Sequence, residues 1–409
     1  MNRVVVTGLG AITPVGNTVE AMWQSLVEGR HGIGPITRFD TSTHKVRLAA
    51  EVKDFDPLLY MDKHDARRSD LYTQYALAAA AQAVEDSGIV GAVAPERLAV
   101  SFGSGIGGII TLMSEHAKLL SGGPRRVSPL FVPMMIANIA AGNIAIRYKA
   151  KCSCLSVVTA CATSSSAIGE AYRMIKHGYA DAAIAGGSEA AITELSVAGF
   201  ANMTALSAAQ DPDAASLPFD VRRSGFVMGE GAGALILEEY EHALRRGAKV
   251  YAEITGYGST CDAHHITAPD PAADSCARAI SDAFSESGSP EGAVYINAHG
   301  TGTPLNDAAE TMAIKKAMGQ RVKDVVVSST KSMTGHTLGA AGAVEAIAAI
   351  LTLKTGVVPP TVGLYQQDPD CDLDCVPLTA RQVRPAVALS VSMGFGGHNA
   401  CLAFRKIDG

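Results

Sequence analysis

Residues 159–181 read TACATSSSAIGEAYRMIKHGYAD, and residues 334–356 read TGHTLGAAGAVEAIAAILTLKTG. Each segment runs from a turn of small residues into a helix rich in small side chains, and each helix ends near a glycine. Each segment also places a chemically capable side chain, Cys161 or His336, at the entry to its helix. The echo predicts two similar halves that meet around a shared helical core and join near residue 248.

Short apolar runs alternate with Ala-rich helical stretches along the whole chain. Several runs are continuously apolar, which is typical of strands covered by helices on both faces. The alternation predicts an α/β fold with sheets between layers of helices, divided into residues 1–248 and 249–409. The predicted strands are Val4–Thr7, Leu98–Phe102, Ala182–Ala185, Ala234–Leu237, Val294–Ala298, Val325–Ser328, Ala386–Val391 and Ala400–Phe404, and the predicted helices are Leu71–Ser87, Cys161–His177, Ala272–Ser285, Asp307–Met318 and Ala340–Thr352.

The composition excludes several classes of protein. Of 409 residues 47% are hydrophobic and 18% charged, so the chain can bury a large core. The net charge of −6 argues against general nucleic-acid binding, which needs a basic surface to displace counterions. The eight cysteines form no CxxC pair, and no close pair has histidines at zinc-finger spacing, so no metal site is predicted.

Membrane and export signals are also lacking at the level of sequence. The first residues enter a strand at once and offer no long apolar signal segment. Residues 127–146 carry no charge and match a membrane-spanning length, but they contain two prolines and two asparagines. We therefore expect a buried loop and helix there, and a cytoplasmic protein with reduced thiols.

Cys161 is the first candidate for catalysis. It follows the apolar run Leu155–Val158 and opens a helix. A helix N-terminus carries about half a positive charge and free N–H groups, which favour a thiolate. The small neighbours of Cys161 would let a long substrate reach its sulfur. The alternative is an inert buried cysteine.

Two histidines lie in Gly- and Thr-rich turns that follow predicted strands. His299 stands in NAHGTGTP and His336 in KSMTGHTLG. Both are expected at the carboxyl ends of strands, where α/β sheets build their sites. Lys331 follows the second of these strands directly, and a buried lysine there would need a carboxylate, for which Asp307 and Glu310 are the nearest candidates.

Three familiar short motifs are incomplete in this chain. The Gly8-Leu9-Gly10 turn has Thr13 where a dinucleotide fingerprint has its third glycine. The glycine-rich segment Gly103–Gly108 lacks the lysine of a P-loop. Ser328–Lys331 matches SxxK but is not followed by SxN, and no GxSxG elbow occurs.

With Cys161, His299, Lys331 and His336 in these settings, the sequence resembles the β-ketoacyl-acyl-carrier-protein synthases, the type II condensing enzymes of fatty-acid synthesis. The resemblance covers essentially the whole chain, through VVVTGLGAITPVGN, TACATSSSAIG, NAHGTGTPLND, SSTKSMTGHTLGAAGAVE and GFGGHNA. It implies a duplicated thiolase-like fold, a five-layer αβαβα sandwich of two halves, and a homodimer.

The resemblance also implies a chemistry. Cys161 would take an acyl group from the thioester of acyl carrier protein (ACP). His299 and His336, as neutral imidazoles donating from Nε2, would bind malonyl-ACP and assist its decarboxylation. Lys331 would organise the site through Glu310 and nearby polar groups, including Asp307. No ATP, redox cofactor or catalytic metal is implied, although the family pattern allows a structural monovalent cation.

The resemblance assigns further positions around the nucleophile. Backbone N–H groups of Cys161 and Phe395 would form an oxyanion hole, and Phe395 would be a gating aromatic between mobile glycines. Thr301 and Thr303 would contact pantetheine, and Ile106 and Phe200 would line the acyl pocket. The chain departs from the usual family pattern in two places, at Gly302 and in Val391-Ser392-Met393, where Met393 replaces the usual aromatic residue, and both leave acyl-chain length and pathway open.

The partner implied by the resemblance is ACP, which is strongly acidic. Because this chain is itself negative, local basic clusters would have to dock it. The candidates are Lys63, Arg67, Arg68, Arg125 and Arg126. The alternative for each is an ordinary solvated surface.

Other functions remain open from the sequence. A free-standing polyketide-type ketosynthase would run the same chemistry on another starter unit. A thiolase would share the fold but act on coenzyme A thioesters, usually with a second catalytic cysteine, whereas Cys401 lies beyond the GFGGHNA turn. A non-enzymatic chain-length-controlling subunit would lack the nucleophile, so Cys161 argues against it.

Overall fold

Ten strands form one mixed sheet in the structure, a computed structural model that describes residues 1–407. The strands are β1 (Val4–Ile12), β2 (Leu98–Gly103), β3 (Cys154–Leu155), β4 (Ala182–Glu189), β5 (Gly231–Glu239), β6 (Ala252–Cys261), β7 (Val294–Asn297), β8 (Val325–Ser328), β9 (Val387–Gly394) and β10 (His398–Arg405). Two short ladders lie outside this sheet, one between Gly34–Pro35 and Leu48–Ala49 and one between Val357–Val358 and Arg381–Gln382.

The strand order repeats from one half of the sheet to the other. The first five strands lie in the order β3-β2-β4-β5-β1, and the second five in the order β8-β7-β9-β10-β6. In each half the first three neighbours run parallel and the last two pairs run antiparallel. This confirms the predicted duplicated fold. β1 pairs with β6 in antiparallel fashion and joins the two halves into one continuous sheet. Because the sheet does not break between the halves, the predicted boundary near residue 248 stays a prediction.

The helices complete five layers. α3 and α6 cover the outer face of the first half, α7 and α13 lie between the halves, and α10, with α11 packed on it, covers the outer face of the second half. α13 is almost wholly buried because it contacts strands of both halves. The helices are α1 (Val19–Val27), α2 (Lys63–Arg67), α3 (Leu71–Ser87), α4 (Ile109–Gly122), α5 (Phe131–Met135), α6 (Ile139–Tyr148), α7 (Thr163–Lys176), α8 (Glu194–Asn202), α9 (Tyr240–Arg245), α10 (Asp274–Glu286), α11 (Pro304–Met318), α12 (Lys331–Thr334) and α13 (Ala341–Thr355).

The two segments of the echo have matching backbone conformations at both ends, at Ala160 and Leu338 and at Gly178 and Gly356. Ala160 and Leu338 both adopt left-handed backbone conformations, with φ of 50° and 49°. Each opens a short 3₁₀ turn, which leads into α7 in the first half and α13 in the second. The position equivalent to Cys161 is therefore Gly339, and α7 begins after Cys161, at Thr163.

The uncharged segment 127–146 lies more at the surface than predicted. It contains α5 and most of α6, and Val132 and Ile146 are 54% and 77% exposed. Elsewhere Leu338–Thr355 is long and apolar enough to cross a membrane, but 89% of it is buried inside the protein. That segment is the central helix of the core.

Candidate active site

A cavity of about 510 Å³ opens at the carboxyl ends of the parallel strands. This placement agrees with the position predicted for the two histidines. Eight of the predicted site residues line it: Ile106, Cys161, Phe200, His299, Thr301, Thr303, His336 and Phe395. Asp307, Glu310 and Lys331 are buried beside it and do not form its wall.

Cys161 lies in the 3₁₀ turn Ala160–Ala162 and is 9% exposed. Burial raises the pKa of its thiol to about 12, although the charge of Lys331 and the backbone N–H of Phe395 oppose the rise. The predicted thiolate at a helix N-terminus is therefore wrong for the resting protein. Desolvation outweighs the helix end, and the resting sulfur carries its proton.

The three residues most central to the prediction meet in the cavity. One ligand atom from each of Cys161, His299 and His336 lies within 4.8 Å of the others. The two imidazole rings are 5.2 Å apart between centroids and nearly perpendicular, and Phe226 packs edge-on against His336. A substrate atom above the sulfur can therefore face both rings at once.

His336 is fixed in one tautomer by its own turn. Its Nδ1 accepts the N–H of Leu338 at 3.2 Å, so the ring proton resides on Nε2. Nε2 is buried and has no protein partner. Burial, with the nearby charge of Lys331, holds the pKa of His336 well below its usual value. The neutral ring thus presents an N–H donor to the cavity, as predicted.

His299 is held through its backbone. Its N–H donates to Glu310 Oε1 at 2.6 Å, and the N–H of Gly300 donates to Glu310 Oε2 at 2.7 Å. Its Nδ1 is buried without a partner. Burial, Lys331 and His336 all hold the pKa of His299 well below its usual value, so this ring is neutral too.

Lys331 has a different partner from the one predicted. Its Nζ donates to Glu345 Oε1 on α13, and both side chains are buried. Glu310 is unavailable because its two oxygens accept backbone N–H groups of the His299 turn, and burial raises its pKa to about 7. Asp307 likewise accepts the N–H groups of Phe219 and Gly302 at 2.9 and 3.2 Å. The two carboxyls support the turn instead of pairing with the lysine.

The predicted gate lies directly after β9. Phe395 is half-buried, lines the cavity and contacts Phe200 at 6.4 Å between ring centroids. Gly396 and Gly397 follow with φ of 84° and 77°, a left-handed turn that favours glycine. Met393, one of the two departures, also lines the cavity.

The other departure, Gly302, has a backbone reason. Its φ of 76° is left-handed, and its N–H donates to Asp307, so a serine there would be strained. On either side of it, the hydroxyls of Thr301 and Thr303 are 3.0 Å apart and line the cavity.

The predicted docking residues lie on the outer surface. Lys63 and Arg67 are on α2, Arg68 caps it, and Arg125 and Arg126 occupy the 3₁₀ turn after α4. All five side chains are exposed, and none lines the cavity.

Two buried glutamates escaped the sequence analysis, Glu345 and Glu189. Burial raises the pKa of each to about 7. Glu189 lines the cavity and accepts hydrogen bonds from three residues of the Ser104–Ile106 turn and from Gly339. Each is a single charge inside an otherwise apolar run, AGAVEAIAAI or AAIAGGSEAA, and that pattern could have identified both.

Comparison with known proteins gives the same result over the whole chain. Residues 1–243 match the family model described as β-ketoacyl synthase, N-terminal domain, and residues 251–365 match the corresponding C-terminal domain. The 3-oxoacyl-[acyl-carrier-protein] synthase 2 of Synechocystis sp. PCC 6803 is 54% identical over 99% of this chain and 98% of its own length. That of Staphylococcus aureus strain COL is 48% identical over 99% of both.

Solved structures agree in fold. A ketosynthase/chain length factor of ishigamide biosynthesis has a TM-score of 0.92 at 37% identity, covering both chains fully. A type II polyketide ketosynthase in complex with its acyl-carrier protein has a TM-score of 0.91 at 33% identity, again over both full lengths. The chain belongs to the β-ketoacyl synthase family, the condensing enzymes of the thiolase-like fold.

Proposed function

We propose that the protein is a 3-oxoacyl-[acyl-carrier-protein] synthase, which condenses malonyl-ACP with an acyl group held on Cys161 and lengthens the chain by two carbons. The observation that carries this proposal is the meeting of the Cys161 sulfur with two neutral imidazoles inside one largely apolar cavity. Its close relatives carry this name at 48–54% identity over nearly the full chain.

Acyl transfer comes first. The Cys161 sulfur attacks the thioester carbonyl of acyl-ACP, the carbon–sulfur bond to pantetheine breaks, and the thiol proton leaves with the pantetheine sulfur. Backbone N–H groups of Cys161 and Phe395 stabilise the oxyanion. The acyl chain then lies among Ile106, Phe200 and their apolar neighbours, and Thr301 and Thr303 contact the pantetheine arm.

Condensation follows on the same sulfur. Malonyl-ACP loses carbon dioxide, and the electron pair of the broken bond becomes an enolate at the thioester. His336 Nε2–H and the ring of His299 stabilise its oxygen. The enolate carbon attacks the acyl-Cys161 carbonyl, and the sulfur leaves and takes up one proton. Decarboxylation drives the reaction, so we propose no ATP, redox cofactor or catalytic metal.

We propose in addition that a monovalent cation stabilises the site. Among the buried oxygens of residues 1–407 that lack a hydrogen-bond partner are Asn297 Oδ1, Glu345 Oε2, Thr352 Oγ1 and Ser390 Oγ. Ser390 faces Asn297 across neighbouring strands, and Glu345 and Thr352 share α13. An oxygen-rich, singly charged set of this kind suits a hard cation. Thermal unfolding in sodium, potassium and choline chloride tests it: Tm should depend on the cation in the wild type and not in Glu345→Gln.

The proposed partner is ACP, docked on the exposed cluster of Lys63, Arg67, Arg68, Arg125 and Arg126. Replacing Arg67 and Arg68 together by Glu should weaken ACP binding about tenfold at low salt and flatten its salt dependence. A matched control is the pair Lys323→Glu and Lys406→Glu, two exposed lysines at the opposite end of the strands. Equal losses in both variants would contradict the assignment.

We propose a cytoplasmic homodimer. β3 ends the sheet with an open edge, and the apolar side chains Val132, Ile146, Leu155 and Val158 beside it are exposed. Open edges and apolar patches of this kind are usually covered. Light scattering should give twice the mass of the chain. Ile146→Glu should halve it, whereas Ile266→Glu, equally exposed but distant in sequence from this patch, should not.

One assay tests the central proposal. The protein is supplied with acyl-ACP and malonyl-ACP, and 3-oxoacyl-ACP is measured by mass spectrometry. We expect product from the wild type and from Cys401→Ala, a buried cysteine that does not line the cavity, and none from Cys161→Ala. Turnover of acetyl coenzyme A alone would indicate a thiolase. Product from a non-fatty starter only would indicate a polyketide-type ketosynthase.

A further inference from the structure

Glu189 is a buried, cavity-lining carboxylate to which the reaction above gives no role. It is the last residue of β4 and is fully buried. Oε1 accepts the Ser104 hydroxyl at 2.8 Å and the Ile106 N–H at 3.2 Å. Oε2 accepts the N–H groups of Gly105 and Gly339 at 2.9 and 3.0 Å. One side chain therefore binds a turn of each half of the fold.

The two turns can approach each other only because each has a glycine at the contact, Gly105 in one and Gly339 in the other. A Cβ on Gly339 would lie 2.3 Å from the Gly105 nitrogen and 2.8 Å from Glu189 Oε2. Their backbone N–H groups point at the carboxylate from opposite halves. Without it, two buried donors would face each other without an acceptor.

Each turn leads directly to a functional surface. Ile106, held by its N–H, forms part of the cavity wall next to Cys161. On the other side, Gly339 follows Leu338, whose N–H fixes the Nδ1 of His336. The hydrogen-bond partner of Glu189, Gly339, is thus the residue next to Leu338, whose N–H orients the imidazole of His336.

The repeat of the fold strengthens this assignment. The fourth strand of each half ends against the 3₁₀ turn of the other half: Glu189 against Gly339, and Gly394 against Cys161, where an added Cβ would lie 3.2 Å from the Cys161 nitrogen. Gly394 leads into the glycine-rich gate, whereas Glu189 is fixed by four hydrogen bonds. The first-half contact is therefore made by a side chain with four hydrogen bonds, whereas the second-half contact is made by backbone alone.

We propose that Glu189 is a positioning residue, which holds the Ile106 wall of the acyl pocket in register with His336 and so links chain-length selection to decarboxylation. This inference rests on the proposed condensing function. It requires a carboxylate, because an amide has one acceptor oxygen and would turn its NH₂ group toward N–H donors.

The test compares Glu189→Gln with Glu238→Gln, a buried glutamate toward the far end of the neighbouring strand β5. Malonyl-ACP decarboxylation should fall about tenfold in Glu189→Gln, and the rates of acyl-enzyme formation across a series of chain lengths should become more uniform. Glu189→Asp should be equally defective because it is too short to reach both turns. Decarboxylation by the control should stay within about twofold of wild type, because Glu238 pairs with Arg246 and His242 at the end of the strand away from the cavity.

Hydrogen exchange supplies a readout that does not depend on activity. The amides of Gly105, Ile106 and Gly339 should exchange faster in Glu189→Gln than in the wild type. Their exchange rates should be unchanged in the control. Wild-type exchange and chain-length profiles in Glu189→Gln would overturn the inference. A wild type that makes no 3-oxoacyl product would overturn the proposed function instead, while hydrogen exchange would still show whether Glu189 holds the two turns together. If Glu189→Gln does not fold, Ser104→Ala, which removes one of the four bonds, should shift both readouts in the same direction.

Discussion

Lys331 and Glu345 form an ion pair that is almost completely sealed from water, with side-chain exposures of 1% and 2%. The lysine begins α12 and the glutamate lies on α13, so the pair ties the turn that carries His336 to the central helix. Its positive charge also helps to keep both histidines neutral. Structure and chemistry therefore depend on the same contact.

Removing one member of this pair should cost more than removing both. Glu345→Leu leaves an uncompensated buried ammonium and should lower the free energy of unfolding by about 3–5 kcal/mol. The double variant Lys331→Met/Glu345→Leu should recover much of that loss, because no charge remains buried. Urea unfolding measures both values. If the double variant is no more stable than Glu345→Leu, the unpaired charge of Lys331 is not the main cause of the lost stability.

Alkylation of Cys161 should show the raised pKa of its thiol. The rate with iodoacetamide should rise about tenfold per pH unit from 7 to 10, with no plateau near the usual thiol value of about 8.5. Cys154 and Cys261 are exposed and would compete, so the experiment uses a variant with serine at both positions. Peptide mass mapping follows the label. A plateau below pH 8 would indicate a resting thiolate and contradict this expectation.

The histidines should matter for decarboxylation more than for acyl transfer. His299→Ala and His336→Ala should each lower malonyl-ACP decarboxylation about 100–1,000-fold, since each removes a group facing the developing charge. Acyl-enzyme formation, measured by intact mass, should change far less. Because both pKa values are lowered well below the usual value, the ring resonances of His299 and His336 in NMR spectra should not shift between pH 7.5 and 6.5. A ring resonance that titrates through pH 6.5 would contradict this expectation.

Glu310 should make the protein less stable as the pH rises toward neutrality. Its pKa is about 7 in the folded state and about 4.5 when unfolded, so the folded state binds the extra proton between these values. The stabilisation is full below pH 4.5 and is lost as the pH rises through 7, a change of about 3 kcal/mol for this group. Glu310→Gln cannot titrate at this position. Between pH 4.5 and 7 its free energy of unfolding should therefore rise relative to that of the wild type. Urea unfolding at several pH values measures the difference, and parallel curves would contradict the expectation.

Much of the site could be predicted because its residues stand in distinctive local settings. Cys161, His299 and His336 each follow a strand and lie in a turn of small residues, so sequence distance did not hide their common location. The partner of Lys331 was missed because Glu345 is close only in space, across a helix packing that no local pattern encodes. The pKa of Cys161 cannot be predicted locally for a related reason: the helix end is visible in the sequence, whereas the depth of burial depends on both halves.

Cys161 and His336 stand at non-equivalent positions of the two halves, and this has a practical consequence for inhibitor design. Although the scaffold is built from two copies of one topology, the position equivalent to Cys161 in the second half is Gly339, so that half has no matching thiol. A ligand with two identical electrophilic groups would therefore react with Cys161 in one half and find no thiol in the other. A better match to this asymmetric cavity is a ligand with two different arms. One arm would carry an electrophile for the sulfur, and the other a hydrogen-bond acceptor for the imidazoles.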